Sequence, residues 1–128
     1  MPTISIELDG EPGMILGASG GSKILTGVFE SIVKNYRFRF NLLDVVRSPR
    51  VHHQLLPNVA NVESGMSRNI IWRLRRRHHN VTLVESTGSA VGAITRTGDG
   101  NIYAVADWWR RGVVSDWATS YDLCDTNI

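Results

Sequence analysis

The residues Gly17 to Leu25, GASGGSKIL, set a Gly-Gly pair against the start of an apolar run. Such a turn could present converging backbone N–H groups to an anion, helped by the partial positive charge of a helix N-terminus. Three readings compete: a phosphate cradle, a cradle for the oxyanion of a reacting carbonyl, or a tight helix-entry turn with no ligand. The phosphate-loop pattern needs Gly-Lys-Ser/Thr at its end. Here Lys23 follows Ser22, Ile24 stands at the hydroxyl position, and no Gly-x-Gly-x-x-Gly occurs. Acyl transfer fits better, because glycine lets backbone donors approach a developing oxyanion closely. From the turn alone, a helix-entry turn remains the simplest reading.

Other side chains with chemical potential are read as structural. His52 and His53 are adjacent, so on a strand they point to opposite faces and cannot chelate together. His78 and His79 end a basic helical stretch, where positive charge suits a helix C-terminus. The cluster Arg73, Arg75, Arg76 and Arg77 could neutralise phosphates or sulfates. However, the net charge is only +2 and no aromatics interleave as a stacking platform requires, so a solvated helix face is expected and nucleic acid is not. The single cysteine, Cys124, excludes an internal disulfide framework and a cysteine-based zinc site. Asn80-Val81-Thr82 matches the N-glycosylation acceptor triplet.

The elements that must position these residues are legible. Thr3–Leu8 alternates apolar and polar residues, predicting a half-buried strand. Asp9–Gly13 reads as a turn, and Met14 to Leu16 as the returning strand. Ile24, Val28, Ile32 and Tyr36 run beside Leu25, Phe29 and Val33, which predicts a broadly apolar, heavily buried helix capped by Ser22. A short helix follows over 41–47, with Asn41 as cap and Ser48-Pro49 as stop. Residues 50–58 have no clear period and are expected to cross the fold in extended form. A third helix is predicted from Ser67 to about His79, with Ile70, Ile71, Leu74 and His78 inward. Val81–Glu85 reads as a strand, and Val91–Thr97 and Ile102–Ala106 flank GDGN as a hairpin. At 128 residues and 42% apolar content, one packed α+β domain is expected. No apolar run is long enough to span a bilayer. The opening MPTISIELDG lacks the pattern of a signal peptide, so any targeting information is expected on another segment.

Several blocks in order carry a family resemblance: PTISIELDG…MILGASGGSKI, RSPRVHHQLLPNVANVE, LRRRHHNVTLVES and AITRTGDGNIYAVAD. Together they resemble the C-terminal part of the small subunit of gamma-glutamyltransferase, also called glutathione hydrolase, over about Pro2 to Gly112. The resemblance implies part of a four-layer αββα sandwich of the N-terminal-nucleophile-hydrolase type, incomplete in this chain. Residues 1–112 would form the family segment and 113–128 an irregular tail. It implies that Gly20 and Gly21 give backbone N–H groups to the oxyanion and the gamma-glutamyl group. It also implies that the basic residue after Asp107, Arg110 or Arg111, contacts substrate. Trp108 and Trp109 are large for that place, and Ser120-Tyr121 stands where the family closes on Gly-Tyr.

The family's nucleophile is the N-terminal Thr of the small subunit, which attacks the gamma-glutamyl amide with its own amine as base. That Thr, the Ser-Ser-Met block and the large-subunit Arg have no counterpart here, so the chain alone is expected to be inactive. Its implied partners are the large subunit and the upstream part of the small subunit, with gamma-glutamyl compounds such as glutathione as substrates. Membrane contact would come only through the large subunit, at the outer cell surface or in the periplasm, and no cofactor or metal is implied. Alone, the chain is expected to expose strand edges and to associate. Two other readings stand beside this one: a non-catalytic light-chain relative with a binding or regulatory role, and a basic nucleic-acid- or heparin-binding module.

Overall fold

A computed structural model describes residues 3–107 of the chain. Arg110, Arg111, Trp108, Trp109, Cys124, Ser120-Tyr121 and the tail 113–128 lie outside the described residues. The fold is mixed α+β, with two sheets and three α-helices among the described residues.

The first sheet has the order β1 (Thr3–Leu8), β2 (Glu11–Ser19), β6 (Ala90–Arg96) and β7 (Ile102–Ala106), every neighbour antiparallel. It begins with strand β1 (Thr3–Leu8), which turns at Asp9-Gly10 into β2 (Glu11–Ser19). Both turn residues take positive φ, 55° and 79°, so the turn is shorter than the expected Asp9–Gly13 loop. β2 is correspondingly longer than its apolar triplet and carries Gly17, Ala18 and Ser19 inside the strand. β1 is a strand, but the expectation of half burial fails for Ile4 (44% exposed) and Leu8 (54% exposed). The reason is position: β1 lies at the sheet edge, and helix α1 (Lys23–Ile32) packs on β2 and β6 instead. Only Ile6 of that row reaches the core.

That core forms where α1 and α2 (Leu42–Arg47) cover one face of the sheet. Met14, Leu16 and Ala18 of β2 and Val91 and Ala93 of β6 (Ala90–Arg96) meet Val28, Leu42 and Val46. Period-2 alternation on the strands and one stripe of each helix suffice to build it. α1 is less buried than its two apolar rows predict. Ile24 and Ile32 pack on the core, whereas Leu25 and Phe29 are exposed. A single sheet face can cover only one stripe of a helix. Ser22 stands at the N-cap position but in helical backbone geometry and without a side-chain capping bond. Asn41 does cap α2: its Oδ1 accepts from the Asp44 N–H at 2.8 Å.

Gly27 lets α1 press against β6. A Cβ there would lie 2.9 Å from Ser89 Oγ and 3.2 Å from Val91 Cγ2. Gly27→Ala gains about 1 kcal/mol of helix propensity but overpacks a tight contact, at about 1–3 kcal/mol. A net loss of about 1 kcal/mol is expected, read as a lower urea midpoint with unchanged slope.

After α1 the chain makes a π-helical turn (Val33–Arg37), closed by Phe38 N–H donating to Val33 O. The second sheet has the order β3-β4-β5. β3 (Val51–His52) pairs antiparallel with β4 (Ala60–Glu63), and β4 pairs parallel with β5 (Val81–Val84). Within residues 50–58 only β3 is strand; the rest is turns, with a cis Leu56-Pro57 peptide. The parallel pair needs a crossover, and α3 (Arg68–Arg76) supplies it. Ile71 and Leu74 of α3 pack on Ala60, Val62 and Val81. Ile70 is exposed, and so is His78, whose φ of 64° ends the helical path. Those two therefore leave the expected inner face. The GDGN hairpin joins β6 to β7 (Ile102–Ala106) as its sequence predicts. In that turn the Thr97 hydroxyl, then the Asn101 N–H, hold the exposed Asp99 carboxyl below its usual range.

Candidate functional site

β2 ends at Ser19, and the chain turns into α1 over Gly20, Gly21 and Ser22. Gly20 has φ +125° and Gly21 φ +61°, values that L side chains rarely adopt. The carbonyls of both glycines face the helix: Lys23 N–H donates to Gly20 O at 3.2 Å and Ile24 N–H to Gly21 O at 3.1 Å. The N–H groups of Gly20, Gly21 and Ser22 meet no acceptor among the described residues, and all three residues are exposed. The turn thus offers adjacent backbone donors at a helix N-terminus, an arrangement suited to an oxyanion.

The second wall of the site is the β5–β6 loop. Gly88, at φ +82°, lies across from Gly20. A Cβ on Gly20 would collide with the Gly88 carbonyl oxygen and stand 3.1 Å from Ser89 Cα. Gly20 is therefore glycine for space as well as for φ. The Lys23 side chain runs along the same loop: a Cβ on Gly88 would lie 3.4 Å from its Cδ and 3.6 Å from its Nζ. An ammonium group thus stands close to the turn.

Beneath the loop is a buried polar network that the sequence reading did not single out. Glu63, at the end of β4, is 4% exposed. Its Oε1 accepts from Thr87 N–H at 3.0 Å and from the Thr87 hydroxyl at 3.1 Å, and its Oε2 accepts from Arg50 N–H at 3.0 Å. The Arg50 guanidinium donates to Asp107 Oδ2 at 2.5 Å, to Ser89 O at 3.0 Å and to Val46 O at 3.1 Å. Asp107 Oδ2 also accepts from Val91 N–H at 2.9 Å. Both sides of the loop are thereby tied down, Thr87 by Glu63 and Ser89 by Arg50. Both residues were visible in the sequence, Arg50 in RSPRVHH and Glu63 in NVANVE. A carboxylate closing an apolar strand was the available signal, since a buried charge needs partners.

The two histidines part where β3 ends: His52 is its last residue and His53 lies just beyond it. His52 is buried, with Nδ1 2.8 Å from Thr26 Oγ1 and Nε2 3.0 Å from Gln54 Oε1, so it braces β3 against α1. His53 turns the other way, its ring edge-on to His79 at 6.1 Å between centroids. Among the described residues no three His, Cys, Asp or Glu side chains gather as a metal site. Asn80 is exposed just before β5.

A sequence model of the family described as gamma-glutamyltranspeptidase matches residues 1–117. The chain belongs to the gamma-glutamyltranspeptidase family. Its relatives include glutathione hydrolase proenzyme 1 of Schizosaccharomyces pombe, 37% identical over 90% of this chain and 18% of that protein. The glutathione hydrolase proenzyme of Escherichia coli is 33% identical over 83% of this chain and 18% of that protein. Among solved structures, the gamma-glutamyltranspeptidase of Pseudomonas nitroreducens superposes with a TM-score of 0.74 and 27% identity, covering 90% of this chain and 61% of that one. The chain therefore spans under a fifth of the length of these curated relatives and about three fifths of the solved chain. As a gamma-glutamyltranspeptidase segment, it has the α+β fold of that family's N-terminal-nucleophile hydrolases, in part. Gly20 and Gly21 are brought against the β5–β6 loop, and Asp107 anchors that loop from below.

Proposed function

We propose that this segment supplies the oxyanion turn of a glutathione-hydrolysing gamma-glutamyltransferase. In this reading the nucleophilic Thr comes from an upstream segment of the same precursor, and a large subunit completes the substrate pocket. Attack of the Thr hydroxyl on the gamma-glutamyl carbonyl drives negative charge onto the carbonyl oxygen. The N–H groups of Gly20 and Gly21 receive that charge, worth about 10²–10³ in rate for a lost donor in comparable sites. Collapse of the tetrahedral adduct breaks the amide C–N bond, the departing amine takes the proton that the Thr amine removed from the hydroxyl, and water, an amino acid or a dipeptide then cleaves the resulting gamma-glutamyl ester. Arg110 or Arg111 would contact the substrate, and the complete enzyme would work outside the cell or in the periplasm. The observation that carries the reading is the pair of exposed, positive-φ glycine donors, the first of them set against the Gly88 backbone.

Hydrolysis of a chromogenic gamma-glutamyl anilide tests it. The chain alone is expected to be inactive. The same chain extended upstream through a Thr-bearing segment, co-expressed with a large subunit, is expected to turn over. Robust turnover by the chain alone would refute the division of labour. The second reading, a non-catalytic light-chain relative, is favoured by the bulky Trp108-Trp109 pair directly after Asp107. Inactivity of both forms would support it.

A further inference from the structure

The outer face of α3 plays no part in the proposed chemistry and gathers several arginines around one tryptophan. Arg68, Trp72 and Arg76 form one i, i+4 row, and Arg73 and Arg77 form the row beside it. All five residues are exposed. Trp72 is 54% exposed, and the Arg76 guanidinium sits 4.7 Å from the centre of its ring. Arg73 Nε donates to Asn69 Oδ1 at 3.2 Å, which holds its side chain along the face. None of these arginines meets a carboxylate among the described residues. The rows run about 12 Å along the helix axis.

Unbalanced charge of this density calls for an anionic partner, and the geometry sorts the candidates. An amphipathic helix that inserts into a membrane needs a free apolar face. Here that face, Ile71 and Leu74, is packed on the second sheet. A single-stranded nucleic acid needs several open aromatic faces for stacking. Trp72 is the one aromatic of the helix, and Arg76 covers one face of its ring. A sulfated polysaccharide needs neither insertion nor stacking. Its anionic groups project from a linear chain, and guanidinium forks bind oxyanions bidentately. We propose that the outer face of α3 is a docking surface for a sulfated polysaccharide, held by the two arginine rows.

The test uses the full chain and size-defined heparin oligosaccharides, with affinity measured by calorimetry across a salt series. Arg73→Gln/Arg76→Gln is compared with Arg37→Gln/Arg39→Gln, which removes the same charge from another exposed segment. Far-ultraviolet circular dichroism checks that both variants keep the parent fold, as expected of changes at exposed residues. The α3 double variant is expected to bind about tenfold or more weakly and to lose about two from the slope of log K against log salt. The control variant is expected to stay within about twofold of the parent. Equal loss in both variants would overturn the proposal, since net charge alone would then explain binding. Tighter binding to a single-stranded oligonucleotide, or to vesicles of one-third anionic lipid, would overturn it in favour of those partners.

Discussion

Gly20→Ala in the complete enzyme is expected to lower kcat for gamma-glutamyl anilide hydrolysis by about 10²–10³-fold, the range for losing one oxyanion donor. Two effects add at this position. The added methyl would collide with the Gly88 carbonyl oxygen, which is backbone and cannot rotate away. It would also have to sit at φ +125°. The turn must open, and the N–H pair then moves off the position that the proposed reading gives to the carbonyl oxygen. Gly21→Ala is the comparison that gives the result its meaning. A Cβ on Gly21 meets nothing within 4 Å, so its cost is confined to left-handed backbone at φ +61°, about 1–2 kcal/mol. Its kcat is expected to fall much less, with the penalty appearing in stability. Steady-state kinetics on the two processed variants decide the matter. Equal activity of Gly20→Ala and the parent would show that the turn takes no part in catalysis.

Asp107→Ala is expected to destabilise the folded domain by about 3–5 kcal/mol, the cost of stranding a buried charge. Asp107 Oδ2 is the acceptor for both the Arg50 guanidinium and the Val91 N–H, and the side chains of the ion pair are 1% and 0% exposed. Removing the carboxylate takes away the guanidinium's ion-pair partner at 2.5 Å and leaves it buried beside Ser89 O and Val46 O. Replacing both partners by apolar residues, Arg50→Met with Asp107→Leu, is expected to recover part of that loss, since neither member of this pair is then left buried as a charge, while Glu63 keeps its bonds from Thr87 and the backbone N–H of residue 50. Urea unfolding of the parent, Arg50→Met, Asp107→Leu and the double variant makes this a thermodynamic cycle. A double variant less stable than Asp107→Ala by a further 3 kcal/mol would show that the network acts as a packed unit beyond its charges. In the complete enzyme, Asp107→Ala is also expected to lower kcat, because Ser89 borders the loop that walls Gly20.

The two expectations meet at one feature, the backbone contact between Gly20 and Gly88. Neither glycine explains it alone. The contact needs α1 drawn close by Gly27, the loop held by Glu63 through Thr87, and the loop's far end held by Arg50. The site is thus a surface turn supported by buried ionic groups.

How much of this was legible varies with range. Strict alternation in residues 3–8 was enough to predict β1, and GDGN between two β-branched runs was enough for the β6–β7 hairpin. Asn41 with Asp44 three residues on announced the cap of α2. These are local signals, with donor and acceptor a few residues apart. The exposure of β1 and of the Leu25–Phe29 row was not legible, because apolar periodicity says that a face is apolar and not whether another element covers it. The network was hidden for the same reason. Arg50, Glu63, Thr87, Ser89 and Asp107 are spread over nearly half the chain, and no spacing rule links them.

Read along the chain, the residues were enough for the order of the elements other than β3 and β4, for the glycine turn at the head of α1 and, through the ordered blocks, for the gamma-glutamyltranspeptidase family. Those depend on backbone freedom, periodicity and motif order, all written along the chain. Tertiary structure alone decided that Gly20 must be glycine for space, that Arg50 and Asp107 pair out of water, and that Ile70 and His78 stay outside while Ile71 and Leu74 go in. Each of those is a contact between residues far apart in sequence. Their energies come from excluded volume and desolvation, which exist only once the chain has closed on itself.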